Sequence, residues 1–156
     1  QMNVYDKGGI VCLIKLPDDR DTRILTSMGM RVPCHCNAAG KVLLAYQKEE
    51  EISRVLQGEL KRYTPKTITS AEKLRAEIEK IRKMGYAVSD EEYREELFTI
   101  AVPVFDSGNH VVAAVSVTRP KQLVTSSEVE FIVRELKTCS RLISEQLGIQ
   151  VVRKRK

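Results

Sequence analysis

At 156 residues the chain has the length of one domain with a substantial core, and 42% hydrophobic beside 30% charged residues is ordinary for a soluble globular protein. No segment approaches the apolar length of a membrane span, and Asp6, Lys7 and Lys15 spoil a signal-peptide reading of the N-terminus. The net charge of +5 does not mark a nucleic-acid surface, because residues 71–84 intersperse Glu72, Lys73, Arg75, Glu77, Glu79, Lys80, Arg82 and Lys83. Ile10–Leu16 and Arg23–Ser27 read as strands joined by the polar turn Pro17-Asp18-Asp19-Arg20-Asp21, and Arg31–Cys36 is again extended. Asn37 caps a first helix carrying Val42, Leu43, Leu44 and Tyr46. A second, about Lys48–Gln57, places Ile52, Val55 and Leu56 at helical spacing. Residues 58–69 are the longest irregular stretch, with Thr64, Pro65, Thr67 and Thr69.

Ser70 caps a third helix whose stripe is Leu74, Ile78, Ile81 and Met84, and Gly85 ends it. Tyr86–Ser89 is a short strand and Asp90–Glu96 a charged loop. Two long strands follow, Leu97–Phe105 and His110–Thr118, around the turn Asp106-Ser107-Gly108-Asn109. Ser127 and Glu130 offer a capping box for a last helix lined by Val129, Ile132, Val133, Leu136, Ser140, Ile143 and Leu147, closed by Gly148. The pattern is α+β with a mostly antiparallel sheet. The basic run Arg153-Lys154-Arg155-Lys156 reads as a solvated tail over 151–156, leaving 1–150 as the domain. A start at Gln1 reads as a fragment of something longer.

The four-residue turn predicts a register pairing Phe105 with His110, Thr99 with Ser116 and Leu97 with Thr118. One face then holds Phe98, Ile100, Val102, Val104, Val111, Ala113, Val115 and Val117, which must pack on helices. The other holds Leu97, Thr99, Ala101, Pro103, Val112, Ala114, Ser116 and Thr118, a small-residue floor with no charge and three hydroxyls at one end. A slot for a small polar ligand accounts for that floor, and a covering loop is the structural alternative. Asn37-Ala38-Ala39-Gly40 adds sterically bare N–H groups at a helix start, suited to a carboxylate or phosphate.

Cys34-His35-Cys36 in a strand would alternate faces, which disfavours a metal site. The cysteines at 12, 34, 36 and 139 form no disulfide framework and fit a reducing cytoplasm. Cys36 before a helix could act as a nucleophile, but it lacks a base on its own strand face. The acidic loop 90–96 crowds five carboxylates into seven residues and reads as a solvated loop at a pocket mouth. A small ester or amide hydrolase using Cys36 or that loop is the rival reading, and a pure oligomerisation module is the third.

Four blocks stand in a recognisable order: RVPCHCNAAGKVLLA (31–45), MGYAVSDEEY (84–93), TIAVPVFD (99–106) and VVAAVSVTRP (111–120). From about Val11 to Gly148 the chain resembles the effector-binding domain of the IclR family of transcriptional regulators. The family pattern is similar to PxHxxxxGKxLLA, GYAxxxEE, A-x-P-V-F-D and AAxSxS/T-x-P. Glu96 stands where the family usually has Gly, Thr99 where it often has Cys, and Arg119 where a Gly commonly precedes Pro120. The resemblance implies an antiparallel sheet of about six strands with helices packed on one side, similar to GAF and profilin-like sensors. It implies a small carboxylate metabolite as effector, with no catalytic residue, metal or cofactor. The carboxylate would meet the helix start at Asn37, Ala38, Ala39 and Gly40, and its other oxygens Thr99, Ser116 and Thr118. Ser89 or Asp90 takes the place of a common acidic contact. It further implies a homo-oligomer, dimer or tetramer, that reaches DNA only through a winged helix-turn-helix domain outside this sequence.

Overall fold

The long hairpin is the axis of the fold, and the other elements are disposed around it. A computed structural model describes residues 1–16 and 27–148. The turn at 17–21, nearly all of the strand read at Arg23–Ser27, and the tail 151–156 lie outside the described residues. Among the described residues there are six strands: β1 (Met2–Asp6), β2 (Gly9–Ile14), β3 (Arg31–Pro33), β4 (Ala87–Asp90), β5 (Leu97–Phe105) and β6 (Val111–Pro120). They form one sheet in the order β3-β2-β1-β6-β5-β4, with every pairing antiparallel. Four helices complete the α+β fold: α1 (Ala38–Ala45), α2 (Glu49–Gln57), α3 (Ala71–Met84) and α4 (Ser126–Gln146).

β1 is a strand the sequence pattern does not announce. It is five residues long and polar at Asn3 and Asp6, yet it sits between β2 and β6. Its turn explains its position: Asp6 faces Gly9 across Lys7-Gly8, both at positive φ (44° and 83°), as a two-residue hairpin requires. Asn3 is buried and donates from Nδ2 to Ser116 Oγ at 3.3 Å, so its polarity is satisfied inside the sheet.

The β5–β6 register differs from the expected one by two residues. Thr99 faces Thr118, Ala101 faces Ser116 and Leu97 faces Pro120, with a bulge between Val104 and Phe105. Asp106 causes the difference. Its Oδ1 accepts from Gly108 N and His110 N, both at 2.9 Å, so His110 stays in the loop and Phe105 faces Val111. A shift of two preserves which side chains share a face over most of the hairpin. Only the bulged end changes: Val111 moves to the Ala101/Ala114 side, where it packs on the larger core, and Val112 is exposed.

Helices cover both faces of the sheet, not one. α4 lies on Phe98, Ile100 and Val102 through Ile132 and Leu136. Its Ser140 donates to the carbonyl of Pro103, and Ser144 accepts from the N–H of Phe105. On the opposite face α1, backed by α2 and α3, packs Val42, Leu43 and Leu44 with Ala101 and Ala114. The alanine floor explains the second layer, because small side chains let a helix backbone approach the sheet. The last helix starts two residues earlier than anticipated, capped by Thr125, whose hydroxyl accepts from Glu128 N.

Candidate ligand cavity

The first turn of α1 is closed by its own cap. Asn37 Oδ1 accepts from Ala39 N at 2.9 Å and Gly40 N at 3.4 Å, and Lys41 N bonds to the Asn37 carbonyl. Ala38, Ala39 and Gly40 are all buried. The amides of Ala39 and Gly40 therefore do not stand open. Gly40 answers to packing instead: a Cβ there would meet the Cα and carbonyl oxygen of Cys34, each at 2.5 Å.

Cys34–Cys36 is a single 3-10 turn, where an extended strand was expected. The turn aims His35 at the irregular segment after α2, where its Nε2 lies 2.9 Å from the Lys61 carbonyl oxygen. That contact begins a clamp. Thr64 Oγ1 donates to the Glu91 carbonyl at 2.7 Å, and Thr67 Oγ1 to the Glu92 carbonyl at 2.6 Å. Lys66 pairs with Glu91, which holds the Glu91 carboxyl below the usual carboxylate range. Held together this way, the 58–69 and 90–96 segments bring Tyr63 and Tyr93 to a ring separation of 5.0 Å.

These two segments roof the end of the sheet face that α1 leaves uncovered. Between them is a cavity of about 390 Å³, lined by Gln1, Met30, Asn37, Tyr63, Ser89, Tyr93, Arg94, Leu97, Thr99 and Thr118. That volume suits a small metabolite. Of the residues anticipated for a ligand, Asn37, Ser89, Thr99 and Thr118 converge here. Thr99 and Thr118 hydroxyls lie 3.1 Å apart, and Ser89 Oγ donates to the Cys36 carbonyl at 3.3 Å. Ala38, Ala39, Gly40, Asp90 and Ser116 are not among the lining residues. Asp90 faces Phe98 on the α4 side of the sheet and pairs with Lys121 at 2.8 Å. Ser116 lies deeper, against Asn3.

Tyr63, Tyr93, Arg94 and Met30 line the cavity without having been anticipated. They sit on irregular segments where periodicity carries no signal, although the 90–96 loop does stand at the mouth. A wider trough of about 550 Å³ runs along the outside of α4 beside Tyr86. It is walled almost entirely by one helix, with no convergence of polar groups from several elements.

Behind the roof, Lys41 is 1% exposed and pairs with Glu92 at 2.6 Å and Glu77 at 3.5 Å. Burial pushes the Glu92 carboxyl up, and the Lys41 charge offsets part of that rise. The pair fixes the root of the 90–96 loop to α1.

The rival chemistries find no support in the geometry. Cys36 is buried, donates to the Pro33 carbonyl, and has a thiol pushed up to about 12 by burial. Cys34 is also pushed up to about 12 by burial, and burial lowers His35. Among the described residues no group of three or more His, Cys, Asp or Glu is placed to hold a metal. Among the same residues no helix is long and apolar enough to cross a membrane.

Comparison with known proteins places this geometry in context. The family model described as bacterial transcriptional regulator IclR, C-terminal, matches residues 1–145. The HTH-type transcriptional regulator KdgR of Escherichia coli K12 is 36% identical over 148 residues, 94% of this chain and 56% of that protein. The crystal structure of the C-terminal domain of E. coli KdgR is similar with a TM-score of 0.83 at 36% identity, over 94% of this chain and 85% of that one. An IclR homolog of Microbacterium hydrocarbonoxydans, complexed with 4-hydroxybenzoate, gives a TM-score of 0.87 at 28% identity, over 94% of this chain and 59% of that one. The chain spans about half the length of the curated relatives it matches.

Proposed function

Because the chain belongs to the IclR family of bacterial transcriptional regulators, as its C-terminal domain, we propose that its cavity binds a small carboxylic acid as effector. The observation that carries this reading is the convergence of Ser89, Thr99 and Thr118 at the end of the sheet face that α1 does not cover. Hydroxyls facing solvent-sized space beside tyrosine rings suit the oxygens and the carbon body of such an acid. That a homolog of this fold is complexed with 4-hydroxybenzoate supports the acid class.

The role proposed is regulatory, in keeping with relatives that are transcriptional regulators and repressors. The ligand bridges strands β4–β6, the cap of α1 and two loops, elements distant in sequence. A bound acid can shift only equilibria between states that bind it differently. We therefore place the signal in the geometry of a homo-oligomer, dimer or tetramer, acting in the cytoplasm on a DNA-binding helix-turn-helix domain outside this sequence.

Thermal denaturation against two- to six-carbon oxoacids and aromatic acids tests the reading. A cavity ligand at a hundredfold excess over its dissociation constant stabilises the fold by about 2.7 kcal/mol. Thr118→Val should remove that gain while changing ligand-free stability by only about 1 kcal/mol. Stabilisation by no acid, or stabilisation that survives Thr118→Val undiminished, contradicts it.

A further inference from the structure

We infer that Arg94 takes the carboxylate of the effector, so that the acid lies with its charged end at the cavity mouth and its other oxygens on the strand hydroxyls. This rests on the reading of the cavity as an acid site and assigns the orientation within it.

Among the described residues, Arg94 is the only one on the lining with a charged side chain. It makes no hydrogen bond or ion pair with any described residue, although it stands in a loop with five carboxylates in seven residues. The acids before it are engaged elsewhere. Asp90 pairs with Lys121, Glu91 with Lys66 and the N–H of Glu96, and Glu92 with buried Lys41. A guanidinium left unpaired at a cavity mouth presents a planar fork that matches a carboxylate with two parallel hydrogen bonds.

Its loop is anchored on both sides. Glu91 and Glu96 bracket it at positive φ, 62° and 64°, and Thr64 and Thr67 hold the backbone just before it. Little ordering is therefore left for the ligand to impose on the loop.

The competing positive sites are occupied. Ala39 and Gly40 give their N–H groups to Asn37. Lys41 is behind the wall, committed to Glu92 and Glu77. The walls then set the rest of the ligand: a body that lies against Tyr63 and Tyr93, ending in a hydroxyl or oxo group within reach of Thr99 and Thr118.

Calorimetry on the whole chain tests this with two acids, each beside its neutral amide. 4-Hydroxybenzoate and 4-hydroxybenzamide probe the tyrosine wall, and gluconate and gluconamide the hydroxyl floor. The wild type should prefer the acid of at least one pair by roughly tenfold or more, the scale of a charge-assisted contact. Arg94→Gln should erase that preference with ligand-free melting unchanged, because the side chain is exposed and bonds to no described residue. Arg94→Lys should keep part of it, and Thr118→Val should weaken acid and amide alike. Full acid preference in Arg94→Gln overturns the assignment while leaving the cavity reading intact. Equal binding of acid and amide by the wild type overturns it too. Binding of no probe to the wild type overturns both.

Discussion

A methyl group added at Gly40 would stand 2.5 Å from two backbone atoms of Cys34, which cannot retreat as a flexible side chain could. Gly40→Ala should therefore cost about 1–3 kcal/mol, the range for overpacking a tight core, measured by urea denaturation. A change within experimental error would mean the 3-10 turn is softer than its contacts indicate. Glu96 presents the reverse case. It holds φ at 64° with a full side chain, its N–H donating to Glu91 Oε1 and its carbonyl accepting from Lys121 N. Both bonds are made by backbone atoms, so glycine would keep them and relieve the left-handed conformation. Glu96→Gly should raise stability by up to about 1 kcal/mol, at the position where the resemblance had flagged a departure from Gly. A loss of stability would show that the glutamate side chain contributes more than its backbone strain costs.

At the scale of elements, the attachment of loop 90–96 to α1 depends on one buried ion pair. Lys41→Met alone leaves Glu92 buried without its partner and should cost about 3–5 kcal/mol. Adding Glu92→Leu should recover most of that loss. An additive penalty in the double variant would mean that Glu92 has another role than pairing with Lys41. The tie between β1 and α2 is electrostatic as well. Arg54 and Tyr5 both bond to Glu51 and hold its carboxyl down to about 2, against an ordinary 4.5. A depressed carboxyl contributes stability above its unfolded value and loses it as pH falls through the folded one. Acid titration should thus show stability declining between about pH 4.5 and 2, and Glu51→Gln should flatten that part of the profile. An unchanged profile in Glu51→Gln would assign the acid loss to other groups.

The helices were legible because Asn37, Ser70 and Gly85 mark their ends and apolar residues recur along one stripe. The two faces of the β5–β6 hairpin were legible for the same kind of reason, since alternation survives a register error of two. What periodicity cannot register is a side chain that reshapes a turn, as Asp106 does, or a buried Asn3 whose partner is 113 positions away. The small residues of the floor fit a ligand slot or a covering loop equally, and alternation along a strand does not say that a helix packs there. Ala101 and Ala114 in fact receive α1, and only the hydroxyl end remains for the cavity.

Across the whole molecule, the cavity draws on residues from Gln1 to Thr118, and its roof comes from two irregular segments joined by Thr64 and Thr67. The strand hydroxyls follow a period that sequence inspection can detect. Tyr63, Tyr93 and Arg94 follow none, since loop positions are set by which backbone carbonyl a threonine reaches. This cavity is the proposed site of effector binding. Amide chemical-shift mapping tests that most directly, titrating the isotope-labelled chain with whichever acid most raises its melting temperature. The largest shifts are expected at Ser89, Tyr93, Arg94, Thr99 and Thr118, with the outer side of α4 unmoved. Shifts confined to Val133, Lys137 and Arg141 on that helix would contradict it.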